Sequence, residues 1–144
     1  MMKSRWSLNL ALAALGLLLM PSLVSGAESL LIAVASDDVE ATSLVSNFAA
    51  SSRYYLLFSG TDFVRVVNNP FLQKGPGAAP LVVDYLAQKG VGVVIAGRFG
   101  PLMIEAMNMK GMKYIQFSGV AQDAAEQVVN FLRPPQKDRK MGTQ

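Results

Sequence analysis

From Leu30 onward the chain reads as eight blocks of apolar patterning divided by turn signals. Leu30 to Ala35 (LLIAVA) and Val91 to Ala96 (VGVVIA) are continuous apolar runs of strand length. That pattern predicts strands buried on both faces. Tyr54 to Ser59 and Phe63 to Asn68 are rich in aromatic and β-branched residues, and Gly60-Thr61-Asp62 separates them. The spacing predicts a hairpin with a short loop, ended by Asn69-Pro70. Ala79 to Lys89 sets Val82, Tyr85, Leu86 and Lys89 at helical spacing, with Gly90 as the stop. Pro101 to Lys110 fits a helix with proline first and Gly111 after it. Lys113 to Phe117 reads as a short strand. Ala121 to Leu132 repeats Ala121, Ala124, Ala125, Val128 and Leu132 on one helical face.

The predicted order is therefore strand, hairpin, helix, strand, helix, strand, helix. Its later part implies parallel strands joined by right-handed crossovers. An α/β sandwich with a mixed sheet follows, in which the hairpin supplies the antiparallel strand.

Outside these blocks the two ends differ in kind. Met1 to Trp6 is short and basic, Leu8 to Met20 is almost unbroken apolar sequence, and Pro21 to Ala27 adds a breaker and small residues. This is the plan of a secretory signal peptide over 1–27, with cleavage after Gly26 or Ala27. The apolar run falls short of the roughly 20 residues of a membrane-spanning helix. The expectation is an exported protein, periplasmic or secreted, with no stable span after removal of the signal. An uncleaved anchor and a buried N-terminal helix are the alternatives. Residues 133–144 (RPPQKDRKMGTQ) open on two prolines and lack periodicity, the mark of a disordered basic tail.

Charge changes the picture only when it is divided. The formal net charge is +3, but the stretch from Glu28 to Leu132 holds seven basic and nine acidic residues, hence −2. The excess of positive charge lies in the two ends. A nucleic-acid binder carries its basic face on the folded body, so nucleic acid is not an expected partner.

Composition removes more classes. With no Cys, the chain has no disulfide framework, zinc knuckle or thiolate cluster site. With no His, it has no imidazole ligand, no histidine general base and no Ser–His or Cys–His nucleophile pair. The expectation is a protein that is not an enzyme.

Three glycine-bearing loops remain: Gly75-Pro76-Gly77, Gly97-Arg98-Phe99-Gly100-Pro101, and Ser118-Gly119. Ligands of open α/β sheets bind beyond the carboxyl ends of the strands, where helix N-termini favour anions. Arg98 would add a full charge with forked donors. The plain alternative is that these glycines only make tight turns. Met103, Met107, Met109 and Met112 offer soft thioethers, and core packing is the competing reading. Asp37, Asp38, Glu40 and Asp84 offer carboxylates for metal-dependent hydrolysis, but a two-metal site needs acids converging from different elements. Solvated loop acids are the better expectation.

Asn69-Pro70-Phe71, the Gly75–Gly77 loop, Val93-Val94-Ile95-Ala96-Gly97, Gly100-Pro101 and Gly111-Met112-Lys113 occur in one order and at characteristic intervals. As a set they resemble the dinitrogenase iron-molybdenum cofactor biosynthesis family, the NifX-like and NifB C-terminal-like domains, over about Leu30 to Leu132. The resemblance implies a domain over 28–132 with an α/β, ribonuclease H-like three-layer α/β/α sandwich and a mixed sheet. It also implies carriers of iron–sulfur or iron–molybdenum clusters rather than catalysts. The segment Ser46-Asn47-Phe48-Ala49 matches a family segment that often carries a His; here Asn47 stands in its place, and Pro76 replaces a second. Thiolate or imidazole ligation of a cluster is therefore impossible in this chain.

These readings combine into one expected site. An anionic cofactor, or a partner protein, would sit at the carboxyl edge of the sheet. Gly75, Gly77, Gly97, Gly100 and Gly119 would admit it to the backbone, Arg98 would supply charge, and Asn47 and Phe48 would line the mouth. The alternative is a structural or protein-interaction module that has lost cofactor binding.

Overall fold

The computed structural model describes residues 30–134. The signal segment expected over 1–27 lies outside them, as does the expected tail beyond Pro134. Five strands and three α-helices follow the predicted order: β1 Leu31–Ser36, β2 Tyr54–Ser59, β3 Asp62–Asn68, α1 Ala78–Gln88, β4 Val91–Ala96, α2 Pro101–Met109, β5 Lys113–Gln116 and α3 Ala121–Leu132. One sheet holds all five strands in the order β3-β2-β1-β4-β5. β1 pairs with β4 in parallel, and β4 with β5 in parallel, while β2 runs antiparallel to both β1 and β3. The mixed sheet is thus made by a single reversed strand, β2.

Burial explains why β1 and β4 are apolar throughout. They lie at the centre of the sheet, and alternate residues feed two different cores. Ala33, Leu57, Val94 and Ala96 face α1 and α2, packing with Val82, Val83, Leu86, Met103 and Met107. Ile32, Val34, Leu56, Phe58, Val93 and Ile95 face the other way, onto Ala121, Ala124, Ala125 and Val128 of α3. Two helices above and one below give the three-layer sandwich. The small residues on α3 let that helix approach the sheet closely, and this explains its alanine repeat.

Met103 and Met107 are fully buried, Met112 nearly so, while Met109 is 81% exposed. The methionine cluster therefore divides into core packing and one surface residue.

One ordered segment was not anticipated. Leu72–Gly77, expected as a loop, forms short 3-10 turns broken at Gly75, whose φ of 62° and ψ of −138° suit glycine alone. No helix among the described residues is long and apolar enough to cross a membrane.

Candidate functional site

Strand polarity decides which loops share an edge. β1, β4 and β5 are parallel, and β3 runs with them because β2 reverses twice. Their carboxyl ends, with the segments 37–53, 97–100, 117–120 and 69–77, therefore collect along one side of the sheet.

The long connection from β1 to β2 has no periodicity, yet it is anchored along its length. Residues 44–49 cross the ends of β1, β4 and β5 as a strap. Val45 donates its N–H to the Gly119 carbonyl (2.8 Å), and Ser46 donates to Ala35 (2.8 Å). Gly97 donates to Ser46 (2.9 Å) and Ala49 to Arg98 (3.1 Å). Single bridges join Ser36 to Val45, Leu44 to Val120, and Phe48 to Arg98. Side chains finish the seating. The Ser36 hydroxyl donates to the Leu44 carbonyl at 3.1 Å, and the Ser46 hydroxyl to Asp37 Oδ2 at 3.1 Å. Asp37 Oδ1 accepts the Arg53 N–H at 3.1 Å.

The strap accounts for Gly97. A Cβ there would stand 3.0 Å from Asn47 Cα and 3.1 Å from Asn47 O. The backbone that approaches this glycine is the chain's own.

A second anchor holds the other half of the connection. Asn69, 5% exposed, donates through Nδ2 to the carbonyls of Ala50 and Ser52 (both 2.9 Å) and accepts the Phe71 N–H through Oδ1 (3.0 Å). Tyr55 donates its hydroxyl to the Ala49 carbonyl at 2.7 Å, and burial holds that hydroxyl's pKa well above the ordinary tyrosine range. In the sequence Asn69 was legible as the end of the hairpin and as part of the family match, not as an anchor. Its work is to fix the strap, because a buried amide must satisfy all its polar atoms.

The expected site residues sort accordingly. Asn47, Phe48, Gly97 and Arg98 are brought into direct contact, and Asn47, Phe48 and Arg98 are exposed. Gly100 is the N-cap of α2, whose first residue is Pro101. Gly119 joins the group through the strap, with φ of 142° and its carbonyl taken by Val45. Gly75 and Gly77 lie on the same edge but leave from β3, three strand spacings from β4, or roughly 14 Å.

Charge varies along the strap. An open cleft of about 700 Å³ runs along it, with Asp37, Asp38, Thr42, Ser43 and Asn47 among its walls. Two carboxylates make it a poor place for an anion. Arg98 and the start of α2 lie outside those walls, and there a full charge and a helix N-terminus act together.

The N-terminus of α3 contributes less. Ala121 and Gln122 donate their N–H groups to the carbonyls of Ser43 and Ala41, at 2.9 and 3.0 Å. On this edge Arg98 is the cation that adjoins the N-terminus of α2, while Arg53 and Lys74 stand on the β2 and β3 side.

Among the described residues no group of three or more acidic side chains is gathered for a metal, and the chain has no His or Cys. Asp37 and Asp38 accept hydrogen bonds within their own loop. The donor set does not fit direct coordination of a cluster.

Comparison with known proteins agrees with this architecture. A family model described as dinitrogenase iron-molybdenum cofactor matches residues 28–131. No match is found among curated proteins. Among solved structures, a provisionally named NifB protein from Thermotoga is 28% identical, with a TM-score of 0.61 over 70% of this chain and 88% of its own. The apo orange protein from Desulfovibrio gigas is 23% identical, with a TM-score of 0.65 over 72% of this chain and 90% of its own. A provisionally named dinitrogenase from Methanocaldococcus jannaschii shares 10% identity, with a TM-score of 0.50 over 72% and 90% of the two chains. The last two likenesses concern the fold.

Proposed function

The chain belongs to the dinitrogenase iron-molybdenum cofactor family, and from that membership we propose that it is an exported, non-catalytic carrier of an anionic metal-cluster cargo. One observation carries the reading. Arg98, the exposed cation at the end of β4, is held beside Asn47 and Phe48 by the strap's backbone bonds and lies next to the N-terminus of α2. Export is supported by the N-terminal sequence pattern.

The chemistry of such a site follows from its donors. Arg98 can give forked hydrogen bonds to an oxo- or sulfido-bearing anion, and the Asn47 amide can donate one more. Phe48, 57% exposed, covers part of the mouth with apolar surface. No protein atom of this set replaces a ligand of the metal. The cargo must bring its own complete ligand shell, and its retention rests on charge and hydrogen bonding. A charge-assisted contact of this kind contributes about 1.5–3 kcal/mol and weakens with salt.

A second reading, a protein-interaction module without cargo, draws support from the absent imidazole and thiolate ligands. Metal analysis and an absorption spectrum of the protein from its native source separate the two. Stoichiometric molybdenum or iron with visible absorption supports the carrier. Metal-free, colourless protein that also fails to take up added cofactor supports the interaction module.

A further inference from the structure

We infer that the edge of the sheet opposite the strap is a docking face for an anionic membrane surface. Each helix runs back against the parallel strands, so all three helices end at this edge. Their C-cap residues are Lys89, Lys110 and Arg133, and β5 starts there with Lys113. Lys110 is paired with Asp84 at 3.2 Å, and Lys89 stands 4.6 Å from the centre of the Tyr85 ring. Lys113 and Arg133 have no ion-pair partner among the described residues.

Apolar side chains project from the same place. Phe131 is 83% exposed and Met109 81% exposed, the two highest values among the large apolar residues described. Phe131 lines a groove of about 340 Å³ with Met112, Lys113 and Tyr114, at the outer edge of β5. Cations beside protruding aromatic and thioether groups form the pattern by which peripheral proteins enter a headgroup layer. The body from Glu28 to Leu132 is net −2, so these cations are a local concentration rather than an average.

The tail and the protruding side chains favour a lipid surface over an acidic protein. Beyond Pro134 the sequence adds Lys137, Arg139 and Lys140 against Asp138. Asp62, the acid at the hairpin, lies on this edge too, at the start of β3, on the far side of the sheet from β5. Single protruding side chains suit a fluid lipid layer, which needs no matching pocket. The docking face is independent of the cargo site, and a chain carrying no cargo would still dock.

The test is co-sedimentation of the purified protein with phosphatidylcholine vesicles, with and without phosphatidylglycerol, combined with amine-reactive footprinting of lysines. The expected result is salt-sensitive binding that rises with phosphatidylglycerol and protects Lys113 while Lys74, on the opposite edge, stays reactive. Removing one cation should weaken binding about fivefold, and Lys113→Gln with Arg133→Gln together roughly twenty- to thirtyfold. Met109→Ser with Phe131→Ser should weaken it further without changing the circular dichroism spectrum. Equal binding to both vesicle types, bound protein with reactive Lys113, or variants that bind like the parent would each overturn the inference. Absence of binding to either vesicle would overturn it in favour of a soluble partner.

Discussion

Replacing Gly97 by alanine tests whether the strap is seated as described. The φ of Gly97 is not in the left-handed region, so a side chain is allowed by the backbone. The whole effect is steric. The new methyl carbon would lie 3.0 Å from Asn47 Cα, 3.1 Å from its carbonyl and 3.3 Å from Oδ1. Two of these atoms are backbone, tied on either side by the Gly97–Ser46 and Ala49–Arg98 hydrogen bonds of 2.9 and 3.1 Å. Relief by a few tenths of an ångström must stretch those bonds.

Overpacking of this kind costs about 1–3 kcal/mol. Loss of glycine's freedom in the unfolded chain returns roughly 0.4–1 kcal/mol. The net expectation is a destabilisation of about 1–2 kcal/mol, or a Tm lowered by roughly 5–15 °C for a domain of this size. Gly100→Ala is the control, since its Cβ meets nothing within 4 Å and its φ is −72°. It should change stability by less than about 0.5 kcal/mol. Thermal and urea unfolding of both variants measures the difference. Gly97→Ala as stable as the parent, or Gly100→Ala equally damaged, would refute the placement of the strap.

Two further outcomes follow from the buried anchors. Asn69→Ala removes four side-chain hydrogen bonds, including one to the Tyr55 hydroxyl, and leaves the carbonyls of Ala50 and Ser52 without that amide, so urea unfolding should show a loss of about 2–4 kcal/mol. Tyr55 keeps its proton above the pH at which an unfolded tyrosine ionises, because burial disfavours the phenolate. Its contribution is therefore complete below about pH 10 and is lost above it, at about 1.4 kcal/mol per pH unit. Tyr55→Phe should flatten that part of the stability curve relative to the parent, while lowering stability at neutral pH through loss of the 2.7 Å bond to Ala49.

The elements most legible in the sequence are those whose signal is local. The unbroken runs at β1 and β4, the Gly60-Thr61-Asp62 turn and the Ala repeat of α3 each reflect burial on known faces, and each appears where expected to within a residue or two. The strap was not legible. Its bridges join Ser36 to Val45, Leu44 to Val120 and Phe48 to Arg98, and pairings between single residues leave no periodicity to read. The same limit applies to the glycines. Gly97 and Gly75 look alike in sequence, yet one is required by a crossing backbone and the other by a positive φ. Asn47 and Phe48 were found by likeness to a family segment, and only the fold shows that they meet Arg98 across the end of β4.

The most direct test of the carrier reading is equilibrium titration of isolated iron-molybdenum cofactor, with molybdate as a simpler anion, into the protein and into Arg98→Ala. Removal of the guanidinium should weaken cofactor binding about ten- to hundredfold, the equivalent of a charge-assisted contact, and raised salt should narrow the gap. Equal affinity of the two proteins for the cofactor would contradict the placement of the cargo at Arg98, and no binding by either would contradict the carrier itself.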